Sequence, residues 1–393
     1  MTTAGSYRSR APAETLALIT PHLPALGITR VGSQTGLDRV GIPVWFAVTP
    51  NARAIAIAQG KGLTDEDAQA SAVMEAVERV IASSPSCVRR SASSRDIEAD
   101  GGSVDPLETL LSPRAEPVAP DEVIDWTPAE NLLSGHTVHL PFDAVHLDRT
   151  QLKPRYWRSS DGLASGNTWD EAVLHGLLER VERDALTLWH VTPPTRRPPA
   201  IDPACLATPT IDDLVQRIER AGLIIRLFDI SSDLNLPCFM ALIAPAAVLA
   251  GGAVRHVDLT LGSGAHFTAA GAAARAITEA AQSRLTFIGG ARDDVPAAFF
   301  TDPAPEDLCK VLRAPVDPLH RPGSTGALPE PNERLPLLLA RLASAGLSEA
   351  YALRLDDGRL PIAVGKLIVP GLENPPGAQR QRFGPRALRR VLG

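Results

Sequence analysis

Apolar residues recur every third or fourth position over residues 65–81, 168–190 and 269–287, and each stretch predicts a long amphipathic helix. Thr64 with Asp67, and Thr168 with Glu171, have capping-box spacing, so the first two helices are expected to start directly behind these threonines. Shorter helical patterns lie at 16–26, 211–221 and 334–345. Runs rich in Val, Ile and Ala predict strands at 44–48, 54–58, 138–147, 223–229, 238–243, 257–261, 351–354 and 362–369. Helix and strand alternate, which predicts an α/β (α+β) fold of several subdomains. Four stretches have no period: 83–130 reads as a surface excursion, 159–167 as a loop of small residues, 303–331 as a linker and 374–393 as an irregular basic tail. The chain is then expected to divide into an N-terminal segment over 1–60, a core with the long helices over 61–300 and a C-terminal subdomain with its tail over 301–393.

Composition narrows the class. At 393 residues the chain is long enough to bury more than one core, and no apolar run approaches the roughly 20 residues of a membrane span. Arg8 and Arg10 near the start are followed by no apolar stretch, so neither a signal peptide nor a lipid anchor is expected, and the cytoplasm is the expected location. Cys87, Cys205, Cys238 and Cys309 are scattered, without C-x-x-C spacing, which predicts reduced thiols and no cysteine-bound metal. With a net charge of -6 and dispersed Arg and Lys, the chain has no basic footprint for nucleic acid.

Two of the helices carry the same segment, E-x-x-E-R: Glu75, Glu78 and Arg79 in the first, Glu179, Glu182 and Arg183 in the second. Carboxylates three residues apart share one side of a helix and repel by a few tenths of a kcal/mol. Both pairs are set among apolar residues such as Ala72, Val77, Leu178 and Val181, where solvation is poor. Read singly, each is an ordinary exposed Glu–Arg pair beside a core stripe. Read together, four half-buried carboxylates call for cations, and Mg²⁺, which takes one or two carboxylates plus substrate phosphates, is the natural one. Metal with nucleotide is therefore expected. Glu171 lies eleven residues before Glu182, near three helical turns, and either extends the acidic face or only completes the Thr168 cap. The third helix carries Glu279, Gln282 and Arg284; an amide replaces the second acid, and the Arg284 guanidinium has the planar fork that suits phosphate. Gly-containing segments at 59–62 and 161–167 precede the two acidic helices, but no Walker G-x-x-x-x-G-K-[ST] loop occurs.

In order along the chain, T-G-L-D-R-V-G-I-P-V (35–44), Q-G-K-G (59–62), A-S-A-V-M-E-A-V-E-R (70–79), S-S-D-G-L-A-S-G-N-T (159–168), E-A-V-L-H-G-L-L-E-R-V-E-R-D-A (171–185), E-A-A-Q-S-R-L (279–285), G-A-R-D-D (290–294) and V-P-G-L-E (369–373) resemble the YcaO family. The resemblance covers nearly the whole chain. It implies a YcaO-type fold of several α/β subdomains around a non-Walker ATP site, with Mg²⁺ on Glu75, Glu78, Glu179 and Glu182 and the nucleotide on Glu171, Arg183, Gln282 and Arg284. A G-x-x-R at 5–8, with Thr15 seven residues on, resembles the family's phosphate-side segment and brings in Arg8 and Thr15. The activity implied is phosphorylation of a peptide-backbone amide oxygen, which requires no nucleophile from the protein itself. Family members divide by the attacking group: a peptide Cys, Ser or Thr gives an azoline, external sulfide a thioamide. Azoline-forming members typically end in a proline-rich tail. The ending R-F-G-P-R-A-L-R-R-V-L-G (382–393), the opening block and V-P-G-L-E look more like members that work beside a TfuA protein. That implies thioamidation with a TfuA-like partner. An azoline-forming cyclodehydratase and a nucleotide-binding accessory factor without turnover are the alternatives, an interaction-only protein is a further one, and a homodimer is compatible with all of them.

Overall fold

The computed structural model describes residues 8–290, 292, 295–319, 321–323, 328–375 and 383–392. Helix α1 (Pro12–Ile19) comes first, then β1 (Arg30–Ser33), β2 (Val44–Val48), β3 (Ile57–Lys61) and the long α2 (Asp65–Ser83). Next are β4 (Arg90–Ala92), α3 (Ser94–Ala99), β5 (Ser103–Val104), β6 (Ile124–Asn131), β7 (Thr137–Pro141) and the one-turn α4 (Phe142–Val145). Strand β8 (Leu163–Gly166) feeds α5 (Trp169–Val191). The chain continues through β9 (Ala200–Ile201), α6 (Pro209–Arg220), β10 (Leu223–Asp229), β11 (Cys238–Pro245), β12 (Thr260–Ala265) and α7 (Ala269–Gly289). Last come α8 (Ala298–Thr301), α9 (Glu306–Arg313), β13 (Val316–Asp317), α10 (Pro331–Ser344), β14 (Tyr351–Arg354), β15 (Ala363–Ile368) and α11 (Pro385–Leu392).

Three sheets result, ordered β1-β2-β3, β12-β11-β10-β9-β13 and β5-β7-β6-β14-β15-β8, with β4 added to β6 in the last. The large sheet joins strands from the middle of the chain to β14 and β15 near its end. Helix α2 lies against β2, β3 and β8, α5 against β8, β15 and β12, and α7 against β11 and β12. The three helices therefore meet where the sheets converge.

These three helices are built alike. Each follows a strand and begins behind a threonine whose hydroxyl accepts a hydrogen bond from the third helical N–H: Thr64 from Asp67 (3.1 Å), Thr168 from Glu171 (3.2 Å) and Thr268 from Gly271 (3.2 Å). Eleven residues past each cap stands a glutamate, Glu75, Glu179 and Glu279; fourteen past it stand Glu78, Glu182 and Gln282. The strands press unusually close to their helices. A Cβ on Gly60 would lie 2.0 Å from the backbone nitrogen of Ala72, and one on Gly262 2.2 Å from that of Ala280.

That close approach explains where the hydrophobic pattern misplaced strands. β3 runs over Ile57–Lys61 rather than 54–58, β12 over Thr260–Ala265 rather than 257–261, and β8 occupies a stretch expected to be loop. Their Gly, Ser and Ala residues are small because a helix backbone covers them, and small residues carry no apolar period. The other irregular stretches also contain structure. Within 83–130 lie β4, α3, β5 and the start of β6, with Trp126 fully buried; 303–331 holds α9 and β13; the basic tail ends in α11. The first helix starts at Pro12 and ends at Ile19 in a 3₁₀ turn, and the strand expected over 138–147 stops at Pro141, where α4 begins.

Helix α11 is fixed by charge. Arg386 Nε and Nη2 each donate to one Asp184 oxygen at 2.9 Å, and Asp184 is fully buried on α5. Glu373, also buried, accepts from the backbone N–H groups of Gly384 (2.8 Å) and Ala387 (2.9 Å), while its own N–H donates to Asp184. Burial pushes the Asp184 carboxyl up even against Arg386, so removing the guanidinium strands a charge. Arg386→Ala is expected to lose about 3 kcal/mol in urea unfolding, part of it recovered by adding Asp184→Asn.

Candidate functional site

The carboxylates of α2 and α5 face one another across β8. Glu78 accepts from Ser165 Oγ at 2.6 Å, and Glu179 from the Gly162 N–H at 2.9 Å. Glu182 accepts from Ser263 Oγ (2.8 Å) and the Ala265 N–H (3.1 Å) of β12. Glu75, half-buried, pairs with Arg79, whose Nη1 also holds the Ile57 carbonyl at 2.7 Å. From α7, Glu279 pairs with Lys61 of β3. The pattern is cyclic: β3 serves α7, β8 serves α2 and β12 serves α5, so each strand binds an acid on the helix of another unit. Lys61, Ser165 and Ala265 all stand three residues before their own threonine caps.

Arg183 ties this ring together. Its guanidinium lies 3.4 Å from Asp161, 3.4 Å from Glu179, 3.1 Å from Glu182 and 3.8 Å from Glu279. One cation does not neutralise so many acids. Burial, with Glu75 and Glu179 nearby, pushes the Glu78 carboxyl up to about 8 despite the Ser165 hydrogen bond. Burial likewise pushes Glu179 up to about 7, Asp161 and Glu182 adding to it and Arg183 opposing. Glu279 goes the other way: against burial, Lys61 and Arg183 hold it down at about 2. Among the described residues no three His, Cys, Asp or Glu side chains form a ready metal cage. The acidic face fits a Mg²⁺ ion that shares its coordination between protein carboxylates and phosphate oxygens, because two of its carboxyls resist ionising without added positive charge.

One helical turn nearer the caps the charge reverses. His175 on α5 is held well below its ordinary value by burial and by Arg8, Arg275 and Lys61 around it. His175 and Arg275 stand at equal distances from Thr168 and Thr268. Beside them Glu171 accepts from Arg8 Nη1 (3.0 Å), Ser9 Oγ (2.7 Å), the Ser9 N–H (3.2 Å) and Asn167 Nδ2 (3.1 Å). Neither reading of Glu171 holds: Thr168 caps the helix alone, and the carboxylate binds these partners at the cationic end instead of extending the acidic face. Thr15, buried, donates to Asn167 Oδ1 at 2.8 Å, which brings the chain start onto the same spot. Gly5 and residues 291, 293 and 294 lie outside the described residues.

Two of the sequence-derived residues point elsewhere. Gln282 donates its amide to the Gln59 carbonyl at 2.7 Å, and Arg284 Nε donates to Asp38 Oδ2 at 2.6 Å, joining α7 to the 35–44 segment. The sequence pattern singles out none of Lys61, Asp161, Asn167, His175 and Arg275, and it shows Glu279 on its helix without a role. Equal spacing from the three caps was the signal that would have found Arg275 and Glu279.

The family model described as YcaO cyclodehydratase, ATP- and Mg²⁺-binding, matches residues 59–373. The chain belongs to the YcaO family. An uncharacterised protein in the tfuA 3′ region of Rhizobium leguminosarum bv. trifolii is 38% identical, over 98% of this chain and 94% of that protein. The YcaO from Methanopyrus kandleri bound with AMPPCP and Mg²⁺ superposes with a TM-score of 0.72 at 23% identity, covering 95% of this chain and 97% of that one. A heterocyclase in complex with substrate and cofactor superposes with a TM-score of 0.74 at 23% identity over 93% of this chain, which spans only 53% of the heterocyclase. The mixed α/β fold is thus the YcaO fold, and no helix among the described residues is long and apolar enough to cross a membrane.

Proposed function

We propose that this YcaO protein is an ATP- and Mg²⁺-dependent enzyme that phosphorylates a backbone amide oxygen of a peptide, with sulfide as the nucleophile, a thioamide as the product and a TfuA-like protein as partner. The observation that carries the first half is the pairing of an acidic face with a cationic face one turn away, in a family described as ATP- and Mg²⁺-binding. The relative in the tfuA 3′ region supports the second half. In this reading Glu75, Glu78, Glu179 and Glu182 hold the metal, and bound Mg²⁺ supplies charge neutralisation at the phosphate oxygens. Arg8, Lys61, His175 and Arg275 face the phosphates, while Thr15, Asn167 and Glu171 shape the end of the site beside them. Arg183 lies between acids and phosphates. Gln282 and Arg284 act from behind, through Gln59 and Asp38. An amide is a poor electrophile with a poor leaving group, and turning its oxygen into a phosphate ester removes the second obstacle. The protein's task is positioning and charge balance, the general need of phosphoryl transfer.

Binding of Mg·ATP is expected to release roughly one proton at pH 7, because Glu78 and Glu179 must ionise to ligate the metal. The affinity then rises with pH and levels off above about 8, the value to which Glu78 is pushed. Stability of the unliganded protein follows the opposite course. A carboxyl whose folded value lies above its unfolded 4.5 stabilises least when ionised, so these two groups lower stability as pH rises from there to about 8, and Mg·ATP reverses the loss. Titration calorimetry in buffers of different ionisation enthalpy reads the proton count. Buffer-independent heats with a flat pH profile would remove these glutamates from the metal site.

A further inference from the structure

Past the C-terminal end of α2 lies an open pocket of about 590 Å³, within the range of small-ligand sites. Ser83, Pro85 and Tyr156 are the buried part of its wall, and the site described above uses none of them. Most charges in the wall are already held. Arg53 lies 3.4 Å from Asp148 and Arg155 2.8 Å from Glu122, Asp143 pairs with Arg158, and Asp125 accepts from Ser91 Oγ. Two cations remain. Arg89 sets its guanidinium 3.6 Å over the Phe142 ring, and neither it nor Lys153 meets a carboxylate among the described residues. With Arg158 and Glu122 included, five cations stand against four carboxylates; His146, which burial and Arg158 hold below its ordinary value, adds no charge at pH 7. Three large apolar side chains stand in solvent next in sequence to wall residues: Val88 beside Arg89 is 72% exposed, Val123 beside Ile124 65% and Leu152 beside Lys153 96%.

We propose that this pocket is a subsite for the peptide substrate, in which Arg89 and Lys153 take an acidic side chain and Val88, Val123 and Leu152 meet its apolar neighbours; this rests on the peptide-modifying reading above. The charge left over is single, which one Asp or Glu balances and a polyphosphate or nucleic acid exceeds. The Phe142 ring holds the Arg89 guanidinium by a cation–π contact and leaves its N–H groups to fork a carboxylate, while the Lys153 ammonium adds a second charge in the same wall. One exposed apolar residue is ordinary on a protein surface, but three around one pocket with spare positive charge suit a segment that is both acidic and apolar. Position makes that segment substrate. Ser83 in the wall ends α2 five residues after Glu78, roughly 8 Å along the helix. Tyr156 in the wall is five residues from Asp161 at the acidic face, at most about 18 Å of chain. An extended peptide covers that distance in about six residues, so an acid held here lies within about six positions of the amide brought to the phosphates. The subsite then selects peptides by sequence, a task that the faces assigned to Mg·ATP leave open.

The test uses the full-length protein and two fluorescein-labelled octapeptides that differ only in a central Glu or Gln flanked by Leu, with affinity read by fluorescence anisotropy. The wild type should bind the Glu peptide about tenfold more tightly than the Gln peptide, and Arg89→Gln/Lys153→Gln should bind the two alike. Both side chains are exposed, so the variant should unfold at the wild-type temperature and bind Mg·AMPPCP with wild-type affinity. Equal affinities in the wild type, including no binding of either peptide, or a Glu preference that survives in the variant, would overturn the subsite. So would a dimer, or a complex with a TfuA-like protein, that the variant breaks while the peptide affinities stay as they were, since the face then belongs to a protein interface. A Glu preference that vanishes in the variant, in a protein that consumes no ATP with its cognate peptide, would keep the acid-binding pocket and overturn the reading that makes the peptide a substrate.

Discussion

Glu179→Gln is expected to abolish peptide-dependent ATP turnover, with at least about a thousandfold loss of kcat, and to leave the protein as stable as before or slightly more so. The two effects have one cause. Glu179 is packed where burial and its acidic neighbours Asp161 and Glu182 push its carboxyl up to about 7, so the unliganded protein loses little when the charge goes. An amide of the same shape keeps an oxygen for the Gly162 N–H. What it cannot do is neutralise a divalent cation. Glu75→Gln should be equally inactive but behaves differently in the unliganded state, because Glu75 pairs with the buried Arg79 on its own helix. Arg79 keeps the Ile57 carbonyl, so the expected loss is about 1 kcal/mol or less. Colorimetric phosphate release at saturating Mg·ATP, beside thermal unfolding of the same samples, separates the two quantities. Unfolded variants with normal turnover per folded molecule would show that these acids build the helices rather than the site.

The acidic residues were legible because the motif occurs twice on helices whose caps can be read directly. Thr64 with Asp67 places the start of α2, and repetition of E-x-x-E-R at Glu179 makes a metal the economical reading. The third copy, visible in E-A-A-Q-S-R, carries a weaker signal for two reasons. Thr268 is followed at its third helical position by Gly271, not by an acid, so no capping box announces α7, and Gln282 replaces the second glutamate. The strands that complete the site were harder still. β8 and β12 consist of Leu-Ala-Ser-Gly and Thr-Leu-Gly-Ser-Gly-Ala, sequences that look like loop because a helix backbone lies where larger side chains would stand. The contacts of Lys61 with Glu279 and of Ser165 with Glu78 join residues far apart in sequence, and no local pattern encodes them. Irregular composition misled at the far end as well: Arg386 reads as part of a basic tail, and only its buried partner Asp184 shows it to be an anchor.

Incubated with a cognate peptide, Mg·ATP and sulfide, the protein is expected to convert one backbone C=O into C=S, and to consume one ATP for each thioamide formed. In the proposed reading, phosphorylation of the amide oxygen is common to both outcomes, so ATP use alone does not separate them; the nucleophile does. A ring-forming enzyme must hold a Cys, Ser or Thr side chain of the peptide over the activated carbon, whereas a thioamide-forming one must bring an external anion there and keep water from competing. The relative in the tfuA 3′ region favours the second. Mass spectrometry of the product decides, because exchange of oxygen for sulfur adds mass and cyclodehydration removes a water. Omitting sulfide should stop product formation entirely, and replacing every Cys, Ser and Thr in the peptide should leave it intact. A product lighter by one water, formed without sulfide and lost with those side chains, would make the enzyme a cyclodehydratase and leave the proposed roles of Glu75, Glu78, Glu179 and Glu182 toward Mg·ATP untouched.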